Sequence, residues 1–158
     1  MKALLFTITL LTVLGGFQAN AAAADDVAAL LAADEAPSGV VFEIVSGDAD
    51  RLGKLLPGVR TDIERLRARF PGLPVAVVSH GEEQFALTTK NRANEPELHA
   101  IAEDMVTGKD VDLHVCGTYA GWFGVDPGDF PDYVDVAATG PAQINDYRAL
   151  GYVLITLP

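Results

Sequence analysis

The chain is short of three things. It has a single cysteine, Cys116. It has half as many basic residues as acidic ones, 11 Lys and Arg against 22 Asp and Glu, for a formal net charge of −11. Beyond Gly16 it has no hydrophobic run of membrane-spanning length. Each shortage excludes something. One cysteine cannot close an intramolecular disulfide, and with no C-x-x-C and no H-E-x-x-H the chain carries no recognisable metal motif. An acidic chain with no basic stripe repels nucleic acid and anionic membranes, so neither is expected as a partner. There is no G-x-G-x-x-G after the first apolar strand and no P-loop, so no nucleotide cofactor is expected. A G-x-S-x-G nucleophile elbow is also missing.

What is present suffices for one globular domain. The chain has 158 residues, 49% of them hydrophobic and 21% charged, a balance that favours a folded core over disorder. Its N-terminus reads as a targeting segment. Lys2 supplies a positive start, Ala3 to Gly16 an apolar run shorter than a membrane span, and Ala19-Asn20-Ala21 an A-x-A cleavage signal. Residues 1–21 are therefore expected to be a signal peptide, with a retained N-terminal anchor as the alternative. The expected destination is periplasmic or secreted, with no membrane attachment after cleavage. Export leads to an oxidising compartment, where an unpaired cysteine suggests a reactive thiol or an intermolecular bond. Residues 22–38, rich in Ala and Asp, read as a flexible leader with one loose helical turn, and residues 39–158 as the domain.

Within the domain the hydrophobic period switches repeatedly. Val40 to Val45 is an apolar strand ending at the turn Ser46-Gly47-Asp48. The Asp48-Ala49-Asp50 run is not a calcium loop, because Leu52 stands where an oxygen ligand belongs. Leu52, Leu56, Val59, Ile63, Leu66 and Phe70 recur at helical spacing, and Pro57 predicts that regular helix begins near it. Leu73 to Ser79 is a strand apolar on both faces, as in sheets covered on both sides, and it ends at His80-Gly81. The connection from Gly81 to Ala93 carries an apolar patch, Phe85-Ala86-Leu87, that reads as a lid or an oligomer contact. A helix follows, with Asn94 expected as N-cap and Glu97 completing a capping box. Leu98, Ile101, Ala102, Met105 and Val106 form its buried stripe and Gly108 its end.

Val111 to Cys116 is the next strand, with Thr118 expected to cap a short helix after it. Tyr133 to Ala138 is a fourth strand. Thr139-Gly140-Pro141 opens a helix reaching Leu150, and Tyr152 to Leu157 is the last strand. This β-α-β-α-β-α-β-α-β order predicts an α/β fold, a three-layer α/β/α domain with a five-stranded, mainly parallel sheet.

The candidate site lies at the carboxyl ends of these strands, where ligands gather in open α/β sheets. Cys116 sits at a strand-to-helix turn, where the amides and dipole of the following helix favour thiolate. The alternative is an inert core cysteine. His80, at the end of the second strand, is a candidate proton donor or acceptor, or else a turn histidine held by backbone. Asp112, His114 and Cys116 alternate onto one face. Same-face residues on a strand lie roughly 6.5–7 Å apart, too spread for one ion, so no metal is expected.

Three motifs resemble the DsrE/DsrF family of sulfur-relay proteins. These are Val115-Cys116-Gly117 at the end of the third strand, His80-Gly81 at the end of the second, and a closing segment. That segment is Ala138-Thr139-Gly140-Pro141-Ala142-Gln143-Ile144, followed by Tyr147-Arg148-Ala149-Leu150-Gly151-Tyr152-Val153-Leu154. The resemblance implies a DsrE-like domain in which Cys116 holds sulfane sulfur as a persulfide. It also implies a sulfur donor and an acceptor thiol as partners, and a homo-oligomer, trimer or hexamer. Gly117-Thr118-Tyr119 departs from the Asn-Thr that follows the cysteine in many relatives. The rival expectation is a non-catalytic ligand-binding or assembly module built around Tyr119, Trp122 and Phe123. A metal site through His80, His114 and Cys116 is a third.

Overall fold

The computed structural model describes residues 15–157. Of the targeting segment read at 1–21, residues 1–14 lie outside the described residues. Helix α1, Gly15–Ala32, runs through the expected cleavage point and through much of the stretch read as a flexible leader. That stretch is a packed helix rather than a loose turn. Ala23 and Val27 are buried in the main core, with Leu30 and Leu31 packed against it. The spacing of 4 from Ala23 to Val27, and of 3 and 4 from Val27 to Leu30 and Leu31, places them on one stripe of a helix built from good helix formers. The C-terminal end of α1 is tied down as well, since Arg69 donates to the Ala33 carbonyl at 2.7 Å. Among the described residues, no helix is long and apolar enough to cross a membrane.

The five strands are β1 (Val40–Ile44), β2 (Val75–Ser79), β3 (Val111–Cys116), β4 (Asp135–Ala137) and β5 (Val153–Leu157). They form one sheet in the order β4-β3-β2-β1-β5. Every neighbouring pair is parallel, with Val40 opposite both Val75 and Val153, Val75 opposite Val111, and His114 opposite Asp135. Helices cover both faces. Val40, Phe42, Ile44, Val77, Leu113 and Ile155 point into the main core, to which α2 (Arg51–Arg69) contributes Leu52, Leu56, Val59, Ile63 and Leu66. The alternate residues Val41, Ala76 and Val78 face the opposite way and meet Ile144 and Tyr147 of α5, Gly140–Ala149. The three-layer α/β/α architecture expected from the alternating elements is the one observed.

Local differences have local causes. Helix α2 starts at Arg51, before Pro57, and carries that proline inside it. A proline in a helix interior costs ~3 kcal/mol. Leu52 and Leu56 are both fully buried, and each such burial contributes ~1.5–3 kcal/mol, so packing carries the helix through. Helix α3 (Pro96–Glu103) takes Glu95 as its N-cap residue with no side-chain cap, so the expected Asn94 capping box does not form. Instead Asn94 N–H donates to the Asn91 carbonyl in the preceding turn. A π-helical turn, Asp104–Gly108, leads from α3 towards β3. Strand β4 is shorter than expected, because Tyr133 and Val134 pack into the main core ahead of it.

Candidate functional site

Helix α4, Gly117–Trp122, begins immediately after β3, and its N-cap residue is Cys116 rather than Thr118. The Cys116 Sγ accepts a hydrogen bond from the Tyr119 N–H at 3.4 Å. The thiol therefore occupies the place normally held by a Ser, Thr or Asp oxygen, facing the unpaired amides of a first helical turn. Gly117 permits this abrupt start. A Cβ there would stand 3.0 Å from both the Ala137 carbonyl oxygen and Val136 Cγ1 of β4, so a side chain would push α4 off the sheet edge.

The backbone of Cys116 is held by a residue that lacks any motif. Strand β2 ends at Ser79, opposite Val115, which leaves Cys116 one step beyond its β2 partner. The side-chain amide of Gln84 fills the gap. Its Oε1 accepts from the Cys116 N–H at 2.7 Å, and its Nε2 donates to the Cys116 carbonyl at 3.4 Å. Gln84 is fully buried and extends the ladder as a strand residue would. It lies in the 3-10 helix Glu82–Leu87, within the segment read as a lid or contact. That helix is anchored by the equally buried Glu83. The Glu83 carboxylate accepts from the Ser79 hydroxyl at 2.8 Å, the His80 and Gly81 N–H groups at 3.1 and 2.9 Å, and the Ser46 N–H at 2.7 Å. It thus joins the turns that follow β1 and β2.

His80 and Cys116 share one cavity of about 370 Å³. Thr118, Tyr119 and Trp122 of α4 form one wall, and Thr139 and Pro141 at the start of α5 form another. The cavity lies where two connections part. The one after β3 carries Ala120 into the main core, and the one after β4 carries α5 to the opposite face. Crevices of this kind, at the carboxyl edge of a parallel sheet, are the usual ligand sites of such folds. Cys116 is 5% exposed. The His80 Nε2 stands 2.9 Å from Glu43 Oε1, and Glu43 Oε2 accepts from the Thr156 hydroxyl at 2.8 Å. A carboxylate only accepts, so the His80 Nε2 carries a proton. Gly140 presses on this histidine. A Cβ at residue 140 would stand 2.4 Å from the His80 Cβ, so glycine alone lets α5 begin this close.

The aromatic wall continues outward. Tyr119 lies 5.8 Å from Trp122, 5.1 Å from Phe123 and 5.9 Å from Phe85, ring centre to ring centre. Trp122 is 76% exposed and Phe123 56%. Burial pushes the Tyr119 phenol pKa up, and the Glu82 and Glu83 carboxylates add to the shift.

The other histidines lie outside the cavity lining. His114 Nε2 is 2.8 Å from the Tyr147 hydroxyl, which itself donates to Asp112 Oδ2 at 2.9 Å. The phenol's one proton goes to Asp112, so the His114 Nε2–H donates to the phenol oxygen. Burial lowers the His114 pKa, partly opposed by Asp135 and Asp112. Burial also raises the Tyr147 pKa, reinforced by its bond to Asp112. The alternating Asp112 and His114 thus serve a hydrogen-bonded relay beneath α5. Among the described residues, no group of three or more His, Cys, Asp and Glu is placed to hold a metal. His99, a residue the sequence does not single out, is buried in α3. Its Nε2 bonds the Ala86 carbonyl at 3.1 Å and its Nδ1 meets the Tyr133 hydroxyl at 2.6 Å. It pins the 82–87 helix from behind.

The fold and cavity define a class: a three-layer α/β/α protein with a cysteine-capped helix at the carboxyl edge of an all-parallel sheet. No family model matches the chain, and no curated protein matches it. Among solved structures it is similar to MTH1491 from Methanobacterium thermoautotrophicum, a protein of unknown function. The two share 24% identity with a TM-score of 0.56, over 74% of this chain and 96% of that one. That likeness speaks to the fold alone.

Proposed function

We propose that the chain is a periplasmic or secreted DsrE-like sulfur carrier or transferase that holds sulfane sulfur as a persulfide on Cys116. The observation that carries this reading is the joint placement of Cys116 and His80 in one cavity, with the thiol sulfur capping α4. In the loading step the Cys116 thiolate attacks the terminal sulfur of a donor R–S–SH. The donor S–S bond breaks, R–S⁻ leaves and takes a proton, and Cys116–S–SH remains. In the unloading step an acceptor thiolate attacks that outer sulfur, and Cys116 leaves as thiolate. In this reading His80, oriented by Glu43, exchanges a proton with the leaving or arriving sulfur. Assembly into a trimer or hexamer belongs to the same proposal, and sedimentation of the purified chain tests it.

The deciding experiment is the intact mass of the purified protein after exposure to a sulfane-sulfur donor, wild type beside Cys116→Ser. A gain of one sulfur atom in the wild type alone, reversed by a reducing thiol, is expected. A thiol that reacts only after denaturation would retire the carrier. The exposed rings of Trp122 and Phe123 favour a second reading, a binding or assembly module that needs no thiol. It predicts full ligand or partner binding by Cys116→Ser.

A further inference from the structure

The lining of the cavity bears on what can be brought to Cys116. Among the described residues, none of those that line it is Lys or Arg. Its one basic side chain, His80, already faces the Glu43 carboxylate. Glu82 and Glu83 act on the neighbouring Tyr119, and the whole chain carries a net charge of −11. A small dianion entering this space would find no Lys or Arg, and at the two helix starts the Tyr119 and Ala142 N–H groups already go to the Cys116 sulfur and the Thr139 hydroxyl. What the space offers is the aromatic surface of Tyr119 and Trp122, facing the Pro141 ring and Thr139 across the cavity. Aromatic side chains reward flat apolar groups and gain little from anions. Resting on the carrier reading above, we propose that this cavity selects organic hydropersulfides bearing an apolar, preferably aromatic, group over strongly anionic sulfur donors.

The chemistry is the loading step already written, with the aromatic group of R–S–SH seated against Tyr119 and Trp122. The terminal sulfur is then directed at Cys116, and the departing R–S⁻ takes its proton from His80 or water. No oxidant or reductant enters. Trp122 is the only tryptophan in the chain, so its fluorescence reports occupancy of this wall alone.

The test compares two donors of the same reactive group, benzyl hydropersulfide and glutathione hydropersulfide, the latter carrying carboxylates. Loading of Cys116 is followed by intact mass, and each rate is divided by the rate on the urea-unfolded chain. Benzyl hydropersulfide is expected to lead by about tenfold, the worth of one good aromatic contact, and Trp122→Ala to narrow that ratio. Equal normalised rates, or a lead for glutathione hydropersulfide, would overturn the selectivity. A parallel arm uses Cys116→Ser and benzyl mercaptan, which binds without transferring sulfur, and reads Trp122 fluorescence. Folded wild type that accepts sulfur from neither donor, together with a saturable Trp122 response to benzyl mercaptan, retires the carrier and keeps the ligand preference. No loading and no response overturns both.

Discussion

Replacing Gln84 by Leu should loosen the end of β3 without opening a hole. The two side chains are close in volume, so the cavity contribution is small, and the loss is electrostatic. Gln84 serves both the N–H and the carbonyl of Cys116. A buried polar group stripped of its partner costs ~1–3 kcal/mol. The N–H bond, at 2.7 Å, sits at the strong end of that range, and the carbonyl bond, at 3.4 Å, at the weak end. Together they imply a destabilisation of ~2–4 kcal/mol, trimmed towards the lower figure because Leu is itself content to be buried. At about 3 °C per kcal/mol for a domain of this size, the midpoint of thermal unfolding should fall by ~6–12 °C. Urea unfolding followed by far-ultraviolet circular dichroism gives the free energy. The alkylation rate of Cys116 in the folded protein gives the local effect, which should be an increase, since the strand end that Gln84 holds carries the thiol. A loss under ~0.5 kcal/mol with unchanged alkylation would refute the idea that this amide stands in for a strand.

Three further outcomes follow from the same geometry. Cys116→Ser should keep the helix cap, since a serine oxygen accepts the Tyr119 N–H at least as well as sulfur. Its stability should stay within ~1 kcal/mol of wild type, and a larger loss in urea unfolding would mean that packing of the sulfur outweighs its cap. Gly140→Ala should destabilise by ~1–3 kcal/mol through its collision with His80, although the same change in an open helix gains up to ~1 kcal/mol, so the sign measured by thermal unfolding decides whether the contact is as close as described. Stability should also fall with acidification. Burial holds the pKa values of both His99 and His114 below their ordinary value, so below about pH 6.5 the unfolded chain binds more protons than the folded one, and stability that is complete above that pH drains away as pH falls through the shifted range. The drop between about pH 7.5 and 5.5 should be smaller in His114→Gln, and equal drops would show that His114 does not contribute.

Much of the architecture was legible because the signals were strong and local. The apolar strands at Val40, Leu73, Val111 and Tyr152 could be buried only in a sheet covered on both faces. The period from Leu52 to Phe70 could form only a helix with one apolar stripe. Residues 22–32 of helix α1 read as a leader because their Ala-rich composition looks neutral until Ala23, Val27, Leu30 and Leu31 are seen on one stripe. Pro57 misled because proline's local cost is visible in sequence, whereas the burial of Leu52 and Leu56 that outweighs it is not.

For the site, the chain order alone brought His80 and Cys116 to the carboxyl edge of adjacent strands, because parallel strands joined by crossovers place every strand end on the same side. Fold class, sheet and the placement of His80 and Cys116 at one edge of it were therefore legible in residue pattern and connectivity. Tertiary structure alone decided which groups hold them. Gln84, Glu83 and Glu43 carry no motif, and their roles depend on contacts across dozens of residues: a side-chain amide reaching a strand 32 residues away, a carboxylate and an imidazole 37 residues apart. Such partners are chosen by distance in space, and no periodicity along the chain records them.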